Sequence, residues 1–222
     1  MSEYAIQLKN ITKRFGEVVA NDSVNLTLKH GEVLSLLGEN GSGKTTLMNM
    51  LSGIYRPDEG SIFVDGKEVE IKSPIDSYNL HIGMVHQHFK LIDVFTGAEN
   101  IFLGDNSRKF DKKKLTKEVE EIAENFGFSV DLNKKIYDMS VSEKQTVEIL
   151  KVLYRGAEIL ILDEPTAVLT PLEKEKLFAI VENLRMHGKA IILITHKMDE
   201  VLGVSDRVTV LRKGKYIDTI ET

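Results

Sequence analysis

The sequence predicts an α/β fold with a mostly parallel core sheet, an antiparallel β layer near the N-terminus and a helical subdomain over about residues 96–154. Three observations carry that reading. Gly38-Glu39-Asn40-Gly41-Ser42-Gly43-Lys44-Thr45 fits the pattern G-x-x-x-x-G-K-[ST] at every fixed position, between an apolar run at residues 33–37 and a helical one at 46–51. Two more apolar runs, at 159–162 and 190–194, flank a helix opened by the capping box Thr170-Pro171-Leu172-Glu173 and stopped near Gly188. Strand, helix and strand joined this way read as a right-handed parallel crossover. Apolar residues Leu115, Val119, Ile122 and Phe126 recur at helical spacing through the charged middle of the chain.

Taken in order, residues 5–11 and 24–28 alternate as strands do, and residues 61–64 and 67–69 flank Asp65-Gly66, a strong hairpin signal. The phosphate-loop strand and helix lie among these strands. Residues 82–86 form another strand-like run. Helices are predicted from about 111 to 126 and from about 142 to 154. The charge run at 109–117 reads as a solvated helix face. The end, residues 208–211 and 216–220 about Lys213-Gly214, reads as a closing hairpin.

At 222 residues and 42% apolar content, the chain can bury a full core as one large domain or a domain with a subdomain. It has no cysteine, hence no disulfide framework and no thiolate metal site, which suits a reducing compartment. The first residues show no signal peptide. No stretch approaches the roughly 18–20 apolar residues of a spanning helix, so any membrane role is expected to be peripheral. A net charge of −5 argues against a general nucleic-acid binder.

The loop carries the first chemistry. Its glycines, Gly38, Gly41 and Gly43, let the backbone through Asn40, Ser42, Lys44, Thr45 and Thr46 aim successive N–H groups at phosphate oxygens, and the helix N-terminus adds its positive dipole end. Lys44 is expected to reach the β- and γ-phosphates, and the Thr45 hydroxyl to hold Mg²⁺. A glycine-rich turn with a chance lysine is the bland alternative; the strand and helix on either side argue against it. The run at 159–162 stops at Asp163-Glu164, which puts Asp163 at the C-terminal edge of a buried strand, where parallel sheets bind ligands. Asp163 is expected to hold Mg²⁺ through water beside Thr45, and Glu164 to polarise an attacking water. His196 ends the next strand beside the same crevice, placed to bond the γ-phosphate and orient that water. The Gln87 amide is a candidate for Mg²⁺ or the water. His86 and His88 flank it and invite a metal-site reading, but no third ligand is evident.

The order phosphate loop, Gln87, Met139-Ser140-Val141-Ser142-Glu143, Asp163-Glu164, His196 resembles the nucleotide-binding domain of ATP-binding cassette (ABC) proteins over nearly the whole chain. The resemblance implies a P-loop NTPase fold of ABC type over residues 1–222, ATP and Mg²⁺ as cofactors, and ATP hydrolysis catalysed by Glu164 and His196. It implies that Phe15, in Lys13-Arg14-Phe15-Gly16, stacks on adenine. Met139 to Glu143 takes the position of the family signature, usually L-S-G-G-Q, and Ser140 would contact the γ-phosphate held by an opposite domain. A second ABC domain is therefore an expected partner.

Residues 85–89, 98–104, 147–157 and 164–171 are similar to bacterial sugar and nucleoside importers, the first stretch leaning toward the nucleoside type. That branch implies two ABC domains in one longer chain, with this one as the N-terminal half. It also implies permease subunits in the membrane, an extracytoplasmic solute-binding protein as an indirect partner, no nucleic acid, and a peripheral position on the cytoplasmic face of the cell membrane. Phe89, Leu91 and Phe95 are candidates either to receive a permease helix or to fill the subdomain core.

The signature departs from the family pattern. Val141 and Ser142 replace its glycines, Glu143 replaces its glutamine, and Thr146 stands where an arginine is usual. Added bulk at Ser142 and negative charge at Glu143 are expected to weaken the partner's site. Two other classes stay open: a soluble ABC ATPase of DNA repair or translation, and a nucleotide-binding adaptor without turnover. Within the first, the short span from Gln87 to Met139 argues against members with long coiled-coil insertions, and the acidic balance argues more weakly against those with basic arms. Glu164 and His196 argue against the second, while the altered signature keeps it open.

Overall fold

The computed structural model describes residues 2–103 and 112–222, the side chains of Lys112 and Lys113 excepted. Gly104 and the start of the charge run, including Asp111, lie outside the described residues. The chain begins with a long antiparallel hairpin, β1 (Tyr4–Phe15) and β2 (Val18–Lys29), turned at Gly16-Glu17. The strands outrun the alternating stretches at 5–11 and 24–28 because bulges interrupt the ladder between Leu8 and Ile11 and between Ile11 and Lys13. Each bulge shifts the in–out pattern that marks a strand in sequence. The phosphate-loop strand β3 (Val33–Leu37) leads through the loop into α1 (Lys44–Leu51). β4 (Glu59–Val64) and β5 (Lys67–Val69) form the hairpin about Asp65-Gly66, completing an antiparallel sheet of order β2-β1-β4-β5.

Next comes α2 (Pro74–Asn79), a short helix with no apolar periodicity to announce it. Ser73 caps it by accepting a hydrogen bond from Asp76 N, and Pro74 presets its first turn. β6 (Ile82–Val85) follows, then α3 (Gly97–Phe102), α4 (Lys112–Phe126), a 3₁₀ turn (Ile136–Asp138) and α5 (Val141–Tyr154). Between Gly97 and Tyr154 the described elements are all helical. The remainder is β7 (Ile159–Asp163), α6 (Pro171–Met186), β8 (Ala190–Thr195), α7 (Met198–Val204) and the closing hairpin β9 (Arg207–Arg212) and β10 (Lys215–Glu221). The second sheet has order β10-β9-β3-β8-β7-β6 and is parallel apart from β10.

This sheet separates two cores. Along β7, Leu160 and Leu162 face one core while Ile159 and Ile161 face the other; along β8, Ile191 and Leu193 oppose Ala190, Ile192 and Ile194. One core is filled by α1 and the antiparallel sheet, including Ile6, Ile11, Leu28, Leu47 and Leu51. The other is filled by the helices, including Ile101, Val119, Val147, Leu150 and Val181. Burial on both faces is why these strands read as unbroken apolar runs. Each fully buried aliphatic side chain contributes roughly 1.5–3 kcal/mol relative to exposure.

Leu91 packs on the helical core, while Phe89 and Phe95 are half-buried. The apolar groups that stand out to solvent in this segment are Ile92 and Val94, the latter 61% exposed. Core filling therefore accounts for Leu91, and the exposed apolar surface is its neighbours'. Among the described residues no helix is long and apolar enough to cross a membrane.

The capping box at α6 is fully formed. Glu173 Oε2 accepts from Thr170 N at 2.9 Å and Thr170 Oγ1 accepts from Glu173 N at 3.4 Å. Thr170→Ala should lower the unfolding free energy by about 1 kcal/mol, measured in urea, with Thr170→Ser close to the parent. An equal loss in both variants would remove the hydroxyl cap from the account.

Candidate functional site: a phosphate-loop crevice

The register of the parallel strands brings four strand ends level. Leu37 pairs with Thr195 and Val210, Asp163 with Ile194, and Val85 with Leu162. The segments leaving those ends share one crevice at the carboxyl edge of the sheet. A cleft of about 580 Å³ opens there, lined by residues 18–20 of β2, residues 40–46, Gln87, Glu164 and the hairpin tip Lys213-Gly214.

The loop is held from outside. Gly43 has φ +97° and starts α1 without a side-chain cap. A Cβ there would overlap the Ala20 carbonyl and lie 2.7 Å from Asn21 Nδ2. Asn21 Nδ2 in turn donates to Gly43 O at 3.2 Å. Gly214 N donates to Ser42 O at 3.0 Å, and Asp22 N donates to Gly214 O at 2.8 Å, so the β9–β10 tip is tied to both β2 and the loop. Asn21, and the tie of the hairpin glycine Gly214 to the loop, have no local signal in the sequence. Most of these contacts are made by backbone atoms, which every residue type has, and they join segments far apart in the chain.

Inside the loop, Lys44 Nζ donates to Gly38 O at 2.6 Å and to Glu39 O at 3.0 Å. Burial pushes the Lys44 ammonium below its ordinary range, and the Glu164 and Asp163 carboxylates pull it back. The buried Ser42 Oγ and Asn21 Oδ1 have no hydrogen-bond partner. The first N–H groups of α1 lack intrahelical acceptors by helix geometry. Here, then, are a buried cation, an orphaned hydroxyl and free amides around one small space: the donor set that an anion such as a phosphate chain satisfies.

Thr45 Oγ1 lies 3.5 Å from Asp163 Oδ1. Burial raises the Asp163 carboxyl, the Glu164 charge raises it further, and Thr45 and Lys44 oppose them. Thr45 and Asp163 together give a hydroxyl and a carboxyl suited to a hard cation such as Mg²⁺. Glu164 is in the left-handed region, φ +46°, with its N–H donating to Ile194 O at 3.0 Å. Its carboxylate accepts from Gln87 Nε2 at 3.2 Å, and its other oxygen is 3.2 Å from His196 Nδ1. The structure thus brings Gln87, Glu164 and His196 into one chain of contacts.

A family model described as ABC transporter matches residues 21–167. The chain belongs to the ABC transporter family. It is 56% identical to the nucleoside import ATP-binding protein NupA of Lactococcus lactis and 54% identical to the guanosine import ATP-binding protein NupO of Bacillus subtilis, each over 99% of this chain and 44% of the relative. The ribose import ATP-binding protein RbsA of Clostridium tetani is 42% identical over 97% of this chain and 44% of its own length. The chain therefore spans less than half the length of the curated relatives it matches. Among solved structures, a nucleotide-free ATP-binding cassette from an ABC transporter superposes with TM-score 0.87 and 27% identity, covering 98% of this chain and 91% of that one. The ADP conformation of the cassette MJ1267 gives 0.89 and 26%, covering 99% and 91%.

Gly38 and His196 line a recess that adjoins the cleft at Asn40, whereas Phe15 and Ser140 lie away from both. Phe15, at the end of β1, is 43% exposed and meets Tyr55 edge-on at 5.1 Å. Its cross-strand neighbour Val18 and the following Val19 line the cleft instead, an apolar wall that the sequence reading missed. Ser140 caps α5 and also lies outside the cleft. There the Glu143 carboxylate has local partners. Its carboxylate accepts from Ser140 N at 2.7 Å and pairs with Lys134 Nζ at 3.0 Å. These contacts hold it below the usual carboxylate range, the Ser140 amide most strongly. The charge is engaged in a capping box and partly neutralised rather than free.

Because Asp163 titrates higher folded than unfolded, its ionisation works against the fold. Stability is lost as pH rises through its folded pKa. Asp163→Asn should make the ligand-free chain more stable at neutral pH and change it least in acid, as read by urea unfolding across pH. A loss of stability at neutral pH would show that the carboxylate is well accommodated.

Proposed function

We propose that the chain is the ATP-binding and ATP-hydrolysing domain that powers import of a small solute, nucleoside or sugar, through permease subunits in the membrane. The observation that carries hydrolysis, rather than binding alone, is the Glu164 carboxylate held between the Gln87 amide and the His196 imidazole at the mouth of the phosphate loop. An adaptor without turnover has no use for such an array.

In this reading Lys44 leaves the Gly38 and Glu39 carbonyls for the phosphate chain. Thr46, Ser42 and the loop amides at Gly38, Asn40, Gly41 and Gly43 bind its oxygens. Thr45, Asp163 and Gln87 would hold Mg²⁺, which when bound neutralises charge on the phosphates. Glu164 accepts a proton from the attacking water as the bond to the γ-phosphorus forms and the bond to the bridging oxygen breaks. His196, beside that carboxylate, would bond the γ-phosphate and orient the same water. Phe15, with Val18 and Val19 beside it, offers an apolar face to the purine.

Relatives named for nucleoside and guanosine import stand at 56% and 54% identity against 42% for a ribose importer, which supports a nucleoside as the solute. Relatives of more than twice this length support a second ABC domain in the full-length protein. That partner would receive Ser140 at its γ-phosphate, and the whole would sit at the cytoplasmic face of the membrane with an extracytoplasmic solute-binding protein as indirect partner. The half-buried Phe89 and Phe95 and the exposed Ile92 and Val94, beside Gln87, offer a permease helix its apolar contact. The single-domain extent over residues 1–222, with its helical subdomain at about 96–154, belongs to the same proposal.

Lys44→Ala should weaken ATP binding a hundredfold or more, while Glu164→Gln should bind ATP like the parent and turn over roughly a hundredfold slower, about 2.7 kcal/mol. Equilibrium binding of a fluorescent ATP analogue and phosphate release measure the two. Parental turnover in Glu164→Gln would remove Glu164 as the base. The triple change Val141→Gly, Ser142→Gly, Glu143→Gln should raise turnover of the self-paired chain several-fold, since glutamine keeps the capping box while the glycines relieve bulk. No gain in a folded, ATP-binding variant would show that the signature does not limit it.

A further inference from the structure

α7 turns back from the end of β8 and sends one carboxylate into the interior behind the crevice. Glu200 is 1% exposed. Its Oε1 accepts a hydrogen bond from Thr166 Oγ1, and its Oε2 accepts one from Thr195 Oγ1 at 2.6 Å. Both hydroxyls belong to buried residues. Thr166 stands two residues after Glu164, and Thr195 one before His196. Thr195 Oγ1 also accepts from Lys197 N at 3.1 Å, fixing the backbone on the far side of His196. One carboxylate therefore joins the two segments whose side chains meet at 3.2 Å in the crevice.

Burying a carboxylate is costly unless its oxygens are matched. Here burial pushes the group toward its neutral form, but the two threonine hydroxyls and Lys197 outweigh it and hold Glu200 below the usual carboxylate range. Lys197 Nζ at 3.3 Å and Lys174 Nζ at 3.7 Å balance the charge. An ionised carboxylate suits the position because it offers an acceptor to each hydroxyl at once. An amide offers one and must donate through the other arm. Glu164 also needs such support, since its left-handed backbone persists only where the surroundings over-determine it.

We infer that Glu200 is a positioning residue that sets the spacing of the Glu164 and His196 segments and so the contact between their side chains. Its effect on turnover rests on the proposed hydrolysis; its effect on the contact does not. The test is a mutant cycle on the 222-residue chain with two readouts. In the first, the imidazole ¹⁵N resonances of His196 in the nucleotide-free chain should shift on Glu164→Gln, and that response should largely vanish in a Glu200→Ala background. In the second, Glu200→Ala should slow ATP turnover about tenfold or more with nucleotide affinity within about twofold, and the double variant should be no slower than Glu164→Gln alone. Glu200→Gln should fall between parent and alanine. If Glu200→Ala does not fold, Thr166→Val removes one of the two ties at nearly constant volume and should give a partial loss of the His196 response. An undiminished His196 response in folded Glu200→Ala or Thr166→Val, or losses of turnover that multiply, would overturn the inference. A His196 response lost as expected in a parent that never hydrolyses ATP would overturn the hydrolytic reading and leave the positioning role standing.

Discussion

The crevice depends on a parallel sheet that is buried on both faces. With apolar layers above and below, β3, β8, β7 and β6 can shift along one another only by moving alternate side chains out of one core and into the other. That cost fixes the register, and the register sets Leu37, Thr195, Asp163 and Val85 at one level. Nothing in the crevice itself could hold four separate segments in line. The site is precise because the strands beneath it cannot slip.

Above the sheet, the arrangement works against local stability. Asp163 and Glu164 are adjacent like charges, one of them buried, beside a partly desolvated lysine and an orphaned hydroxyl. Glu164 also occupies a backbone region that its side chain disfavours. Such groups persist because neighbours restrain them. The β9–β10 tip and Asn21 hold the loop from one side, and Glu200 with its two threonines joins the segments that carry Glu164 and His196 from behind. Strain and unsatisfied charge at a ligand site, offset by a rigid surround, is the usual relation between stability and activity.

Much of this architecture was legible before any coordinates. The phosphate loop, the capping box at Thr170, and the apolar runs at 159–162 and 190–194 are local patterns, and local patterns survive in a linear sequence. α2 and α7 were not legible. The first is a six-residue helix set by Ser73 and Pro74, and the second has no side-chain cap and is held by the buried Glu200. The charge at Glu143 is evident from residue type, but its contacts with Lys134 and the Ser140 amide are not.

By itself the sequence singled out the candidate site residues: Lys44, Thr45, Gln87, Asp163, Glu164 and His196 stand out because their motifs are short and their flanking periodicity is strong. Only the tertiary structure decided how they meet. Gln87, Glu164 and His196 lie on three different segments, and their contacts follow from strand order and register, which no local pattern encodes. The supports at Asn21, Gly214 and Glu200 are hidden for the same reason. They act through backbone atoms or through side-chain hydrogen bonds that join separate elements, and such contacts exist only after the sheet has closed its two cores.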